Sequence, residues 1–258
     1  MTRRHPSITS KLAPAVLIAV LLAVWQLCSD LGVVPKFMLP SPTDVVTAFV
    51  EDFPALITHA RVSLSEAFLG LGTAVILSFA VAFLMDQFRV VREAVYPLLI
   101  LTQTVPTVAI APLLVLWLGY GILPKVVLIV ITCFFPMTIG LLSGFASADP
   151  DFIHMMRAMG ASGWQIFRYV KLPSSAEQFF SGLRISASYS VVGAVISEWL
   201  GGFEGLGVYM MRVKKSYAFN KMFAVIFLIS VISLTLIKAV DLLKKKSMPW
   251  TLIHSGEH

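Results

Sequence analysis

The chain of 258 residues is 57% hydrophobic and 13% charged, whereas about a quarter of the residues in an ordinary soluble domain are charged. This excludes an ordinary soluble domain, and the net charge of +6 does not indicate nucleic-acid binding, because Lys and Arg of membrane proteins collect in cytoplasmic loops. The apolar residues form long blocks, and a spanning helix needs roughly 20 of them. We therefore predict an all-α polytopic membrane protein whose single domain covers residues 1–258.

Six apolar blocks of span length follow one another along the chain. The first comes after Arg3, Arg4 and Lys11, and no small-residue cleavage site follows it. We therefore expect it to be a retained span and not a signal peptide. A polar insert, residues 148–173, separates the fourth block from the fifth. The predicted spans cover residues 12–29, 67–85, 96–117, 126–147, 185–200 and 222–240.

The third predicted span is interrupted by prolines, so we expect a kinked helix. Proline frees backbone groups, and neighbouring helices, hydroxyls or a water-filled cavity must satisfy them. Polar side chains beside the central proline either serve that need or line a translocation pathway. These candidate pathway residues are Thr102, Gln103, Thr104 and Pro106.

Small residues mark two other spans. Gly140 and Gly144 in the fourth span predict the close approach of another helix, because the absence of side chains lets two backbones come together. Ser186 and Ser190 in the fifth span lie one helical turn apart and form a small, partly polar face. That face either packs against a helix or lines the pathway.

Glu198 is the most notable charged residue, because it lies near the outer end of the fifth span. Ionisable groups at membrane depth are costly and often functional, which makes it a candidate pathway residue. The alternatives are that it reaches the interface or pairs with Arg212 or Lys214. Three further charges are interpreted as ordinary interfacial residues: Asp44, Arg61 and Glu66.

The insert is predicted to be two short amphipathic helices joined by a hinge. Asp149 can cap the first helix, and Gly160 is a typical helix end. Ser162 and Gln165 have the spacing of a capping box for the second helix. Pro173 is predicted to stop that helix, because proline lacks the N–H group that continues it. The pair either lies on the lipid surface or docks to a protein.

The distribution of charge predicts the orientation. With six spans, thirteen Lys and Arg residues share the side of the N-terminus and seven lie on the other side. Because positive residues are retained in the cytoplasm, we expect both termini and the insert to be cytoplasmic.

The insert resembles the cytoplasmic loop signature of bacterial ABC-importer permeases. Gly160 is followed after nine residues by Val170-Lys171-Leu172-Pro173, which is similar to the second half of that signature. The Glu-Ala-Ala triplet of its first half is replaced here by His154-Met155-Met156. Further fragments are similar to permeases of the nitrate, sulfonate, taurine and thiamine-pyrimidine type: Leu39-Pro40-Ser41-Pro42, Pro106 with Ala111-Pro112, Trp117-Leu118-Gly119-Tyr120-Gly121, Arg157-Ala158-Met159-Gly160-Ala161 and Gly205-Leu206-Gly207.

The resemblance implies a homodimeric membrane subunit of the bacterial inner membrane. Its insert would dock to two ATP-binding subunits that carry the ATP and Mg, a solute-binding protein would dock outside, and the chain itself would hold no cofactor. ATP-driven closure of the ATPases would rock the spans from inward-open to outward-open. The residues implied to couple to the ATPase are Phe152, Met155, Met156, Met159, Gly160, Ala161, Trp164, Phe167, Leu172 and Pro173.

The sequence argues against three other functions: the ATPase, a self-sufficient secondary carrier and a membrane enzyme. The Gly-x-x-x-x-Gly-Lys-Ser/Thr phosphate loop is absent, so this chain is not the ATPase. A self-sufficient secondary carrier should show deep ionisable residues or an inverted repeat, and neither is evident. A membrane enzyme needs a nucleophile or metal constellation, and the five histidines lie outside the apolar blocks. We expect neither a catalytic nor a metal site.

The resemblance implies that the substrate is a small polar solute. The segment from Gly193 to Gly202 resembles the thiamine-pyrimidine branch more than the sulfonate branch. A thiamine-pyrimidine precursor is therefore the first expectation, and anions of the sulfonate, taurine or nitrate type are the alternative.

Overall fold

The computed structural model describes residues 8–35 and 37–249, and the regular structure of these residues is helical. The predicted all-α fold is confirmed. In the first part of the chain the helices are α1 (Ile8–Asp30), α2 (Pro42–Glu51), α3 (Phe53–Gln87), α4 (Arg89–Thr104), α5 (Thr107–Leu118) and α6 (Ile122–Ala146). The second part contains α7 (Pro150–Ala158), α8 (Gly163–Ile166), a π-helical turn (Phe167–Lys171), α9 (Leu172–Ser174), α10 (Ala176–Gly201), α11 (Leu206–Lys215) and α12 (Phe219–Ser247).

Five described helices, α1, α3, α6, α10 and α12, are long and apolar enough to cross a membrane, and the bent pair α4–α5 makes a sixth if it is one span. The largest difference from the sequence prediction is α3, which has 35 residues and begins at Phe53, not at residue 67. The predicted span starts at residue 67 because Glu66 is the last charged residue before a long apolar run. The helix includes Glu66, whose carboxylate forms a buried ion pair with Lys125.

The third predicted span is broken, not kinked. α4 and α5 meet at 104° across Val105 and Pro106, which are both extended. Proline disfavours helical backbone in the residue before it and donates no hydrogen bond itself. Pro97 and Pro112 lie within helices, and the chain does not break there.

The chain divides into two compact units, of which the first comprises residues 1–58 and 209–228. Within its described part, Ser41 caps α2 in a capping box with Asp44, so that carboxylate is a helix cap and not merely an interfacial charge. The indole N–H of Trp25 donates to the carbonyl of Pro40 over 3.0 Å, and the Trp25 ring stacks on Phe227. These contacts fix the turn between α1 and α2.

The second unit comprises residues 59–208 and 229–258, and α6 and α10 form its most extensive helix pair. Glycines allow this contact. A Cβ atom on Gly140 would lie 2.7 Å from the carbonyl oxygen of Gln178, and one on Gly144 would lie 2.4 Å from the Cα atom of Ser175. On the facing helix, a Cβ on Gly182 would lie 2.6 Å from the carbonyl oxygen of Pro136. The close approach predicted from Gly140 and Gly144 is confirmed.

Candidate functional site

The first helix of the insert, α7, begins and ends as the sequence predicts. The carboxylate of Asp149 accepts the backbone N–H of Asp151 over 2.9 Å. At the other end Gly160 has a φ of +81°, a left-handed conformation that glycine adopts without a steric penalty. The backbone N–H of Ala161 then donates to the carbonyl of Met156 over 2.9 Å, which closes the last turn.

The second helix begins with the predicted capping box. The backbone N–H of Gln165 donates to the Ser162 hydroxyl over 3.3 Å, and the backbone N–H of Ser162 donates to the Gln165 side chain over 2.7 Å. Two N–H groups at the start of α8 are thereby satisfied by local side chains. The insert therefore has a defined shape.

Pro173 does not stop this helix, and that prediction is wrong. Leu172 and Pro173 are helical, and α10 begins at Ala176. The reason is the π-helical turn before the proline, in which the N–H of Leu172 donates to the carbonyl of Phe167, five residues earlier. Such a turn changes the hydrogen-bond register, so the missing N–H of the proline is accommodated.

The predicted coupling residues divide into an exposed group and a buried group. Phe152, Met155, Met159 and Trp164 are each more than half exposed, and we call these four residues the insert patch. Gly160 and Pro173 are also exposed, whereas Met156 and Ala161 are intermediate. The insert patch presents large apolar side chains on a segment that is too short to span a membrane.

Phe167 belongs to the buried group, so it anchors the insert and is not available to a partner. Its ring lies 4.7 Å from Phe83 and 5.2 Å from Phe145, centroid to centroid, and Leu172 packs against the same apolar cluster. The sequence reasoning missed a polar anchor beside it. Lys171 Nζ lies 2.8 Å from both carboxylate oxygens of Asp86, at the end of α3.

The break between α4 and α5 borders a pocket of about 180 Å³. Two predicted pathway residues, Thr102 and Gln103, line it, but Thr104 and Pro106 do not. The sequence reasoning missed the other polar lining residues, because α6 and α10 supply most of them. None of the lining side chains is ionisable except the phenol of Tyr189. The full lining is Thr102, Gln103, Val105, Thr107, Ile131, Thr132, Tyr189, Val192, Gly193 and Ile196.

Ser186 and Ser190 do not line this pocket. Ser186 is fully buried against α6, where its hydroxyl donates to the carbonyl of Cys133 over 2.9 Å and the Cys133 thiol donates back to the carbonyl of Ser186. Ser190 is also buried, and its hydroxyl donates within its own helix to Ala187. Of the two roles that the sequence left open, the structure shows helix packing.

Glu198 is 1% exposed and lies at the end of the second unit opposite the insert. Its carboxylate accepts hydrogen bonds of 2.6 Å from the Ser63 hydroxyl and from the backbone N–H of Gly207. The backbone N–H of Leu206 donates to the same Ser63 hydroxyl over 2.8 Å. Neither alternative from the sequence, a carboxylate at the interface or a partner at Arg212 or Lys214, describes this arrangement. Glu198 instead holds the start of α11 against α3.

Glu66 and Lys125 form a second buried polar contact beside Glu198. Lys125 Nζ lies 2.5 Å from a Glu66 oxygen, and the two side chains are 6% and 4% exposed. The carboxylates of Glu66 and Glu198 also interact electrostatically. The interpretation of Glu66 as an interfacial charge is therefore wrong. The pair could not be seen from the sequence, because 59 residues separate its members.

The first unit has a separate polar cluster. The Tyr209 hydroxyl donates to one carboxylate oxygen of Asp52, and Lys221 Nζ lies 2.9 Å from the other. The hydrogen bond from Tyr209 and the charge of Lys221 lower the pKa of Asp52 below its ordinary value of 3.8, against the opposing effect of burial. Burial, followed by the neighbouring Asp52, raises the pKa of the Tyr209 phenol. This cluster joins the α2–α3 corner to α11 and α12.

No group of three or more His, Cys, Asp or Glu residues within 8–35 and 37–249 is arranged to hold a metal ion. The candidate functional features are therefore the insert patch, the pocket at the broken helix and the buried carboxylates at the opposite end.

Comparison with known proteins gives consistent matches. The family described as binding-protein-dependent transport system inner membrane component matches residues 74–249. The formylaminopyrimidine transport permease protein ThiX of Halalkalibacterium halodurans is 33% identical over 240 residues, which are 93% of this chain and 96% of that protein. The taurine transport system permease protein TauC of Escherichia coli is 29% identical over 240 residues, 90% of this chain and 87% of that protein.

A solved structure supports the fold. The fold is similar to that of a chain in the crystal structure of an amino acid ABC transporter with histidines, with a TM-score of 0.65 and 17% sequence identity. The superposition covers 78% of the present chain and 97% of that chain. The extent of the family match and the 33% identity to ThiX decide the assignment. The chain belongs to the inner-membrane components of binding-protein-dependent transport systems, and it is a multi-pass permease subunit of an ABC importer.

Proposed function

We propose that two copies of this chain form the membrane pathway of an ATP-driven importer for a small neutral heteroaromatic solute of the formylaminopyrimidine kind. The observation that carries the substrate class is the pocket at the α4–α5 break. It offers hydroxyl groups, one amide and one phenol among apolar walls, with no carboxylate, ammonium or guanidinium in its lining. A few polar groups in an apolar pocket suit a neutral ring. The similarity to ThiX supports the same substrate class.

A second candidate is a sulfonate or a related anion, supported by the similarity to TauC. One structural observation favours it. Thr107 lines the pocket and is also the first residue of α5, so free N–H groups at this helix start adjoin the pocket. We rank this candidate second, because a fixed negative charge in a membrane pathway is usually paired with a basic side chain, and the pocket lining has none.

The insert patch is proposed to dock to a partner ATPase. The chain has no phosphate loop of its own, so ATP and Mg are assigned to that partner, and this chain is assigned no cofactor. The contacts of Phe167 and Lys171 with α3 and α6 support this role, because a force applied to the patch would pass directly into two spans.

The insert and both termini are proposed to lie in the cytoplasm, and a solute-binding protein is proposed to dock on the other side. The support is the excess of Lys and Arg on the insert side. Arg3, Arg4 and Lys36 contribute to that comparison but lie outside the described residues. Labelling of a single engineered cysteine at Thr2 from outside intact cells would contradict this orientation.

Transport into proteoliposomes tests the substrate class. The permease would be reconstituted with its ATPase and its binding protein, and ATP-dependent uptake of labelled formylaminopyrimidine and labelled taurine would be compared. We expect uptake of the pyrimidine and not of taurine. The reverse preference would support the second candidate and overturn the first.

A further inference from the structure

A cavity of about 390 Å³ lies at the insert end of the second unit and is distinct from the pocket at the broken helix. Its walls come from the end of α3, the start of α4, the end of α6 and the helix α7. One side is charged and the other is apolar. The lining is Asp86, Arg92, Leu142, Phe145, Ala146, Ala148, Pro150, Ile153, His154, Arg157 and Lys171.

The charges around this cavity do not balance. Asp86 is the single carboxylate of the lining, and Lys171 contacts both of its oxygens at 2.8 Å. Arg92 and Arg157 remain, and neither guanidinium group has a hydrogen bond or an ion pair with the residues that the structure describes. The three basic side chains and the one carboxylate of the lining leave two positive charges that no described residue compensates.

The two free guanidinium groups come from different elements, Arg92 from α4 and Arg157 from α7. Arginine presents planar, paired donors that match the oxygens of a phosphate group. Beside them the cavity has an apolar wall that includes Leu142, Phe145 and Ile153. The cavity also lies where two spans, α3 and α6, end. A ligand that fits all of these features carries a phosphate group and an apolar body, and it reaches the cavity from the membrane surface.

We propose that this cavity binds the headgroup of an anionic phospholipid, with its phosphate between Arg92 and Arg157 and its glycerol region against Leu142 and Phe145. Basic pockets between spanning helices are known to hold such headgroups. A bound phosphate would connect α4 to the first helix of the insert. The lipid would thus stabilise the insert in its position relative to the spans.

Native mass spectrometry of the purified permease in detergent tests the proposal, with phosphatidylglycerol and phosphatidylcholine of the same acyl chains as probes. Wild-type protein should retain phosphatidylglycerol in preference to phosphatidylcholine. The double variant Arg92→Gln/Arg157→Gln should retain about tenfold less, because two charge-assisted hydrogen-bonding groups are lost. Arg168→Gln is the matched control, since Arg168 is an exposed arginine of the insert outside the cavity.

Two further arms identify the source of the phosphate and guard against misfolding. Inorganic phosphate added to the delipidated protein should not reproduce the thermal stabilisation given by phosphatidylglycerol, and equal stabilisation by phosphate alone would overturn the assignment to a lipid. Arg92→Lys/Arg157→Lys keeps the charge and should recover part of the retention. Equal retention of phosphatidylglycerol by wild type and Arg92→Gln/Arg157→Gln would overturn the proposal, even if that variant no longer binds a partner ATPase.

Discussion

The Glu198 carboxylate accepts a 2.6 Å hydrogen bond from the Ser63 hydroxyl, although 135 positions separate the two residues in the chain. The same carboxylate accepts the N–H of Gly207, so three elements meet at one buried acidic group: α3, α10 and the start of α11. Glycine is required here, because a Cβ on Gly205 would lie 2.2 Å from the Glu198 carboxyl carbon. We call Glu198, Ser63 and the segment 205–207 the carboxylate clasp.

Replacement of Gly207 by alanine should destabilise the clasp. The new Cβ would lie 2.2 Å from the carbonyl oxygen of Val195, and overpacking of this kind costs about 1–3 kcal/mol. Gly72→Ala is the matched control, because no atom lies within 4 Å of its added Cβ. Thermal unfolding in detergent should show a clearly lower Tm for Gly207→Ala only. Equal Tm values for the two variants would contradict the described packing.

The Glu66–Lys125 pair predicts a double-mutant cycle. Lys125→Met alone should lower the free energy of unfolding by about 3–5 kcal/mol, because it leaves Glu66 buried without its cation. Glu66→Met/Lys125→Met should recover most of that loss, since well-packed apolar residues often replace a buried ion pair without cost. Unfolding of the single and double variants under matched detergent conditions measures the coupling. Additive effects would show that the two residues do not interact.

The Asp52 cluster predicts a dependence of stability on pH. Its folded pKa lies below the ordinary value of 3.8, so the unfolded state binds the proton first as the pH falls. The contribution of the cluster is therefore present above pH 3.8 and is lost as the pH falls through the lower, folded pKa. Asp52→Asn should remove this part of the acid dependence of Tm. Parallel acid profiles for Asp52→Asn and wild type would argue against the cluster.

The pocket predicts a separation between two neighbouring polar residues. Gln103 lines the pocket, whereas Thr104 does not, and its hydroxyl donates to the carbonyl of Leu101. Gln103→Leu should reduce ATP-dependent uptake by about five- to tenfold, the effect of losing one hydrogen bond to a neutral solute. Thr104→Val should transport normally. Equal uptake by both variants would show that Gln103 does not contribute to the pathway.

Local features of this chain could be predicted from the sequence, and non-local ones could not. The caps at Asp149 and Ser162 depend on residues within a few positions of each other, so they follow from composition and spacing. The contact of Ser63 with Glu198 depends on how distant helices pack, and no local pattern indicates it.

Prolines show a second reason for the differences. Pro106 produces a break of 104°, whereas the helix passes through Pro173 because a π-helical turn comes before it. The difference lies in the hydrogen bond from Leu172 to Phe167, because it shifts the register before Pro173, whereas the backbone at Val105 and Pro106 is extended. Phe167 was expected, like Trp164, to couple to the ATPase, but the aromatic cluster around Phe83 and Phe145 buries it.

The insert patch is proposed to transmit the work of a partner ATPase, and co-purification of that ATPase with permease variants tests this role. Met155→Asp/Met159→Asp changes two exposed residues and should leave membrane insertion and Tm unaltered. Phe203→Asp is the control, because Phe203 is also exposed but precedes α11, at the end of the second unit that carries the clasp. We expect Met155→Asp/Met159→Asp to lose the ATPase and Phe203→Asp to retain it. Undiminished co-purification of the ATPase with Met155→Asp/Met159→Asp would show that the insert patch does not dock it.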